Sequence, residues 1–185
     1  MRRRPTALLA LLALTAAENR LLSAGAAEKS LKIRGVNLGG WLVLEKWIKP
    51  SLFSEWDAFD KKAPKDQWTY CETLGKTECK KRLEQHWDSW VTESTISDLA
   101  DAGITHVRIP IGHWITCDGA DDEPYVCGEW SYLKRVAEWC RKYDVLVWLD
   151  LHTAPGSQNG FDNSGHTGDA RWDKSVANVN RPPRV

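Results

Sequence analysis

Three short segments rich in β-branched residues limit most strongly how this chain can fold. They span residues 32–38, 104–111 and 145–151, and each has the length and composition of a strand in a sheet that is covered on its outer face. A helical spacing of apolar residues separates the second segment from the third at residues 131–144, where Ser131 is available as the cap. No hairpin signal joins any two of these strands. The pattern therefore predicts an α/β fold in which crossovers connect parallel strands.

A second helix is predicted before the middle strand. Residues 79–102 place leucine and tryptophan side chains on one side of such a helix, and Gly103 follows as a stop signal. The stretch before it, residues 48–78, contains prolines and several aromatic residues and is interpreted as an elaborated loop after the first strand.

Polar residues follow each predicted strand at its carboxyl end. In folds with parallel strands and crossover helices, this edge of the sheet carries the binding or active site. Arg108 lies within a mostly buried strand, so its charge requires carboxylate or substrate-oxygen partners, and a purely structural pairing stays open. Asp150 is placed to support either Arg108 or His152. We therefore seek functional residues among Asn37, Glu45, Arg108, His113, His152 and Asn163, and we expect His113 and His166 to be mainly structural.

The charge balance excludes some classes of partner. Lysine plus arginine equals aspartate plus glutamate at 25 each, so the formal net charge is zero. Nothing in this balance suggests a nucleic acid or an anionic membrane as a partner, and a substrate need not be charged. Eleven tryptophans against three phenylalanines is a marked bias. An indole offers a flat face and an N–H donor, which suits stacking on sugar rings as well as core packing.

The amino terminus has the pattern of a secretory signal. A basic start, "MRRR", precedes an apolar run at residues 7–17 and small residues near positions 16–17 and 24–27. The run is too short for a span of ~20 residues. We expect a signal peptide over residues 1–27, with its boundary between 17 and 27, and an extracellular protein that is secreted and associated with the cell wall.

Secretion makes disulfide bonds permissible. Cys71 and Cys79 bracket one short segment, Cys117 and Cys127 bracket another, and either pair could form a disulfide. Cys140 lies in the predicted helix at 131–144 and is expected to be a buried free thiol, since five cysteines cannot all pair within the chain. No spacing of cysteine or histidine indicates a metal site.

Three long motifs in this order carry a resemblance to a known family. They are "RGVNLGGWLVLEKWIKPSLF", "GITHVRIPIGHW" and "VLVWLDLHTAPGSQNGFDNSG". Together they resemble the secreted exo-β-1,3-glucanases of glycoside hydrolase family 5. The resemblance implies a (β/α)₈ TIM barrel, of which residues 28–185 supply about the first three βα units. It also implies release of glucose from β-1,3-glucan with retention of configuration, no cofactor, and a monomer at full length.

The resemblance assigns roles to individual residues. Glu45 is implied to bind the terminal glucose, Arg108 to support the nucleophile, and His152 and Asn163 to line the glucose subsite. Phe161 is implied to clamp the next sugar at the entrance, with Asp162 beside it as a further substrate-binding residue. The implied substrate is therefore a β-1,3-glucan oligosaccharide or polysaccharide.

The resemblance also predicts where the two catalytic residues are. Retaining hydrolysis needs two carboxyl groups about 5–5.5 Å apart, and in this family both are glutamates, one of them in an Asn-Glu-Pro motif. No such motif occurs in the sequence, and its last glutamate is Glu138. We therefore expect both catalytic glutamates beyond Val185, so that the chain alone would be inactive.

Two other functions remain open from sequence. The chain could be a non-catalytic, secreted glucan-binding protein, or the full-length form could be a transglycosylase that transfers the glycosyl group to a second sugar. The preference between β-1,3 and β-1,6 linkages also stays open. A sheet that ends at the third predicted strand has an open parallel edge, so the isolated chain is expected to fold poorly or aggregate.

Overall fold

The sheet is parallel, and its strands lie in chain order. The computed structural model describes residues 32–56, 59–117 and 122–175. Within them, β1 (Gly35–Asn37), β2 (His106–Ile111) and β3 (Leu146–Leu151) form one sheet in the order β1-β2-β3. Both ladders are parallel. All three predicted strands are confirmed, although β1 has only three of its seven predicted residues and β2 and β3 begin two residues and one residue later than predicted. A partial parallel sheet with crossover helices is confirmed as well. The eight-stranded barrel stays a prediction.

Among the described residues between β1 and β2 there are two α-helices, where we had predicted one, and a short 3-10 helix, Pro50–Phe53, precedes them. Helix α1 (Gln67–Trp90) begins inside the stretch that we had interpreted as a loop, and α2 (Glu93–Asp101) follows it after a break. The prediction of a single helix at 79–102 is therefore wrong. The chain forms two helices because each begins at its own capping box. The side chain of Asp66 accepts a hydrogen bond from the backbone N–H of Thr69, and that of Thr92 accepts one from the N–H of Thr95. Gly103 follows α2 with a φ of 79° and is confirmed as its stop.

Helix α3 (Glu129–Lys142) connects β2 to β3, as the sequence pattern predicts. Its start differs from the prediction. The N-cap position is Gly128, with a φ of 145°, and the helix begins two residues before Ser131. The hydroxyl of Ser131 donates to the carbonyl of Gly128 at 2.8 Å, so Ser131 lies within the first turn and is not the cap.

Two disulfides stabilise loops and turns around the helices. Cys71–Cys79 spans an interruption of α1 at Gly75, whose φ of 72° and ψ of 156° are not helical. Glycine tolerates this backbone conformation without the steric cost that a side chain would add. The second disulfide, Cys117–Cys127, closes the segment before α3. Cys140 is free and buried, as expected.

The hydrophobic core lies between one face of the sheet and the helices. Val107 and Ile109 of β2 are fully buried in it, together with Leu83 of α1, Ile96 of α2 and Val136 of α3. The other face of the sheet is polar near its carboxyl edge, and there the side chain of Arg108 contacts Asn37 of β1 and Asp150 of β3. The outer side of β3 is only partly covered, since Leu149 and Leu151 are 51% and 47% exposed.

Three expectations from the sequence concern the signal peptide, membrane-spanning helices and metal-binding groups. The predicted signal peptide, residues 1–27, lies outside the described residues. In the ranges that the structure describes, no helix is long and apolar enough to cross a membrane. The same ranges contain no group of three histidine, cysteine, aspartate or glutamate side chains that could hold a metal ion.

Candidate functional site

The loop after β1 positions Glu45 at the edge of the sheet. Glu45 as a residue is 7% exposed, and its carboxylate accepts a hydrogen bond from the N–H of Gly40 at 3.1 Å. A side chain at Gly39 would displace its neighbours, because its Cβ would lie 2.8 Å from Cδ1 of Ile48 and 3.2 Å from Oε1 of Glu45. The glycine pair after β1 therefore allows the chain to turn closely around the glutamate.

His86 of α1 supports the same turn from behind. Its Nε2 lies 2.8 Å from the carbonyl oxygen of Gly40. Burial lowers the pKa of His86 to about 4, so the ring is neutral near pH 7 and its Nε2–H can donate to that carbonyl. Gly40 is thus held at both backbone groups, by Glu45 and by His86.

Arg108, Asp150 and His152 form one hydrogen-bonded group across β2 and β3. Nη2 of Arg108 donates to Oδ2 of Asp150 at 2.6 Å, and Nδ1 of His152 lies 2.6 Å from the same oxygen. Nη1 of Arg108 also donates to Oδ1 of Asn37 at 3.3 Å. Nη2 of Arg108 also lies 3.3 Å from Nδ1 of His152. In the tautomer that donates from Nδ1 to Asp150, Nε2 is the acceptor of the ring. The expectation that Asp150 supports Arg108 or His152 is confirmed for both residues.

The loop after β3 carries the other three candidate residues. Asn163 lies in a short 3-10 helix, Asp162–Ser164, and its Oδ1 accepts a hydrogen bond from Nδ2 of Asn159 at 3.1 Å. Oδ1 of Asp162 accepts from the backbone N–H of Asn163 at 2.9 Å. Phe161 is 67% exposed.

These loops enclose a cleft of about 610 Å³ at the carboxyl edge of the sheet. Five of the candidate residues from the sequence line it, namely Asn37, Glu45, Arg108, His152 and Asn163. Phe161 and Asp162 are not among the lining residues, so the structure does not bring them into the cleft. Their roles stay predictions from the resemblance.

Two tryptophans line the cleft that sequence reasoning did not select. Trp47 is 73% exposed, and Trp90 donates from Nε1 to the carbonyl of Gly39 at 3.1 Å. Trp47 is two residues from Glu45, so its position in the first motif was an available signal. Nothing local in the sequence identifies Trp90, because only the fold brings the end of α1 to the turn after β1.

The two histidines that we expected to be structural lie outside the lining of the cleft. His113 contacts Oγ1 of Thr153 through Nδ1 at 2.8 Å and Oε2 of Glu123 through Nε2 at 3.0 Å. The ring of His166 stacks on Trp68 with a centroid distance of 4.3 Å. The contacts of His113 tie loops to one another and the stack of His166 ties a loop to the start of α1, which agrees with the structural interpretation.

A buried carboxyl group lies behind the first loop. Glu129 is 1% exposed, and its Oε1 accepts hydrogen bonds from Nε1 of Trp114 at 2.8 Å and Nε2 of Gln67 at 3.2 Å. Burial raises the pKa of Glu129 to about 8, so this group is mostly protonated at neutral pH. The amide of Gln67 in turn accepts from the backbone N–H of Leu44 at 2.9 Å, next to Glu45. Glu129, Trp114 and Gln67 form a buried hub, which therefore connects helix α3 to the loop that carries Glu45.

The lining of the cleft suits a neutral ligand with many hydroxyl groups. It combines a carboxylate, an imidazole, amides and a guanidinium with indole faces, which together provide hydrogen-bond donors and acceptors beside an apolar wall. Among the described residues, Glu45 is the single carboxylate in this lining. The fold and the cleft thus define a polar site with indole walls at the carboxyl edge of a parallel βα sheet.

Curated proteins with similar sequences indicate which class of protein this chain is related to. The chain is 50% identical over 154 residues to "Glucan 1,3-beta-glucosidase" of Pichia angusta, covering 83% of this chain and 34% of that protein. It is 54% identical over 134 residues to "Glucan 1,3-beta-glucosidase 2" of Wickerhamomyces anomalus, covering 72% of this chain and 31% of the relative. The chain thus spans about a third of the length of these relatives. By sequence it is related to proteins named as glycosidases.

Solved structures agree with this relationship. The rutinosidase from Aspergillus niger matches with a TM-score of 0.70 and 31% identity, over 82% of this chain and 41% of that chain. The structure named AoRut matches with a TM-score of 0.71 and the same identity and coverage. No family model matches the chain. The resemblance to glucan 1,3-β-glucosidases is confirmed by these relatives, whereas membership of glycoside hydrolase family 5 stays a prediction.

Proposed function

We propose that the whole protein is a secreted, exo-acting and retaining glucan 1,3-β-glucosidase of glycoside hydrolase family 5, with a (β/α)₈ barrel. In this proposal the present chain forms the glucose-binding side of the active site. The observation that carries it is the cleft in which Glu45, Arg108, His152 and Asn163 meet, in a chain about 50% identical to proteins that bear this enzyme name.

Glu45 and His152 supply the recognition of the terminal sugar. One oxygen of Glu45 is engaged by Gly40, and the carboxylate can accept hydrogen bonds from adjacent sugar hydroxyls. The free Nε2 of His152 adds a neutral acceptor, and Asn163 adds an amide whose oxygen is engaged by Asn159, leaving its NH₂ to donate. A site that satisfies the hydroxyls of a chain end in this way would reject chain interiors, which is the basis of exo action.

The catalytic pair is assigned to polypeptide that follows Val185. Retention takes two carboxyl groups about 5–5.5 Å apart, and the described lining of the cleft offers Glu45 alone. Asp150 is bonded to both Arg108 and His152, so it is a supporting group in this proposal. Arg108 would support the nucleophile, as the resemblance implies, and water would accept the glycosyl group.

The substrate and location follow from the same reasoning. A β-1,3-glucan is neutral, which suits the zero net charge of the chain, and its hydroxyl groups can both donate to Glu45 and accept from Arg108 in the lining of the cleft. The signal peptide proposed for residues 1–27 would direct the protein out of the cell, where wall glucan is found. A monomer without a cofactor is sufficient for this chemistry.

The test uses the whole protein, expressed from its complete transcript, with laminaritriose as substrate. We expect glucose to be released from the non-reducing end, with the β anomer appearing first in the proton NMR spectrum. The variant Glu45→Gln should lower kcat/KM about 10- to 100-fold, since hydrogen bonds to a charged group contribute about 1.5–3 kcal/mol. Glu138→Gln, on the exposed face of α3, is the matched control.

Other products would replace the proposal with one of its alternatives. Longer oligosaccharides formed from laminaritriose would identify a transglycosylase. If the reading frame of the transcript stops after Val185 and its protein product binds laminaritriose without cleaving it, the protein is a non-catalytic glucan-binding protein. Comparison of β-1,3- and β-1,6-linked substrates would determine the linkage preference.

A further inference from the structure

The N-terminus of α1 is bonded to the loop that carries Asn163, although the two are far apart in sequence. The first N–H groups of any helix have no partner within the helix and must be satisfied from outside. In α1, the N–H of Trp68 donates to the carbonyl of Gly165 at 2.9 Å. The ring of Trp68 also stacks almost parallel on His166, with an interplanar angle of 6°.

Asp66 divides its two carboxylate oxygens between the helix and this loop. Oδ1 accepts from the N–H of Thr69 at 2.7 Å, which is the capping bond of α1. Oδ2 accepts from the N–H of Thr167 at 2.7 Å, across 101 residues of sequence. Asp66 is 0% exposed, so neither bond competes with water. A helix cap alone needs only one of these oxygens.

At its start, the loop from 157 to 168 is also bonded to the chain just after β3, because Nε2 of Gln158 donates to the carbonyl of His152 at 2.7 Å. Other bonds of the loop lie within it. The hydroxyls of Ser157 and Ser164 lie 2.6 Å apart, and the N–H of Gly168 donates to the carbonyl of Gly160 at 3.0 Å. These bonds keep the loop in shape, but they do not fix where it lies relative to the cleft. The bonds from α1 attach it at Gly165 and Thr167, close to Asn163 on the same loop.

We infer that Asp66 is a positioning residue, which holds the loop of Asn163 against α1 so that Asn163 faces the sugar in the cleft. Asp66 does not line the cleft and acts only through this loop. The inference rests on the proposed function for its ligand, a β-1,3-linked oligosaccharide. The hydrogen bond between Asp66 and Thr167 itself stands independently of any ligand.

The variant Asp66→Asn separates the two tasks of this side chain. Asparagine caps helices as well as aspartate does, because its amide oxygen can accept from Thr69. Its NH₂ group would then face the N–H of Thr167, so two donors oppose each other and the loop is released. Asp66→Ala removes both bonds, and Thr92→Ala is a control that removes only the cap of α2.

Amide hydrogen exchange and steady-state kinetics on the whole protein test the inference. In Asp66→Asn we expect exchange of peptides from residues 157–168 to be at least tenfold faster, while peptides from α1 stay as protected as in the wild type. We expect KM for laminaritriose to rise about tenfold with kcat nearly unchanged, because a misplaced binding loop weakens ground state and transition state alike.

Each departure from these results has a defined meaning. If the loop of Asp66→Asn exchanges as slowly as in the wild type, Asp66 does not hold it, and the inference is overturned whatever the kinetics. If the loop is released and KM does not change, its position does not serve the sugar, which also overturns the inference. If the wild type neither binds nor cleaves laminaritriose, the proposed function and the sugar-binding part of the inference both fail, while the exchange data still decide the loop contact.

Discussion

Glu129 makes a quantitative prediction about stability and pH. Its pKa is about 8 in the folded chain, against an ordinary value of 4.5. The folded protein therefore retains a proton that the unfolded chain releases, so this residue makes the free energy of unfolding fall as the pH rises between those values. With about 1.4 kcal/mol per pKa unit, the two titrations imply a loss of about 3 kcal/mol between pH 5 and pH 7.5.

The variant Glu129→Gln should remove this part of the pH dependence. Glutamine keeps the oxygen that accepts from Trp114 and Gln67, and it does not titrate. Urea unfolding of the whole protein, as wild type and as variant, followed by tryptophan fluorescence at half-unit steps from pH 5 to pH 7.5, gives the two curves. We expect the difference in unfolding free energy between wild type and variant to change by about 3 kcal/mol across this range.

A matched control distinguishes burial from loss of a charge. Glu138 lies on the exposed face of the same helix, and Glu138→Gln should leave the wild-type pH dependence unchanged. Parallel curves for wild type and Glu129→Gln would refute the reasoning, because they would mean that Glu129 titrates alike in the folded and unfolded chains.

Three further predictions concern the site, a disulfide and the sheet edge. Asp150→Asn should lower the affinity for laminaritriose about tenfold, measured by calorimetry, because Arg108 loses a charged partner; unchanged affinity would show that the pair is not needed for binding. The double variant Cys71→Ser, Cys79→Ser should lower the free energy of unfolding by roughly 2–3 kcal/mol, from the entropy of closing so short a loop, and an unchanged urea midpoint would contradict this. The chain ending at Val185, expressed alone, should aggregate or melt without a sharp transition in calorimetry. A cooperative melt of a soluble monomer would refute that last expectation.

The strands and the position of the site could be predicted from local pattern. Runs of β-branched residues identified β2 and β3, and polar residues at their ends identified Arg108 and His152, because in parallel sheets the carboxyl ends meet at one edge. These inferences need only the chain near each residue. The pairing of Asp150 with both side chains could be anticipated for the same reason, since its strand lies next to β2.

The helix boundaries and the buried hub could not be predicted in this way. Apolar spacing continues past Thr92, so periodicity alone joined two helices, although Asp66 and Thr92 each stand three residues before a threonine that completes a cap. Glu129 stands at the start of a helix, where acidic residues are ordinarily exposed and favoured by the helix dipole. Its burial depends on Trp114 and Gln67, which the fold brings to it from other elements.

The partly exposed strand β3 has a consequence for how the protein is made. A ribosome adds about 5–20 residues per second, so if more polypeptide follows, β3 would wait for several seconds before a later strand could cover it. Within the described part of the chain, β3 pairs with β2 alone, and Leu149 and Leu151 are about half exposed. Between these two leucines stands Asp150, whose charge is already engaged by Arg108 and His152. A charged residue within an open strand opposes pairing with the same strand of a neighbouring nascent chain, so Asp150, which is bonded to His152, would also protect the growing chain from aggregation.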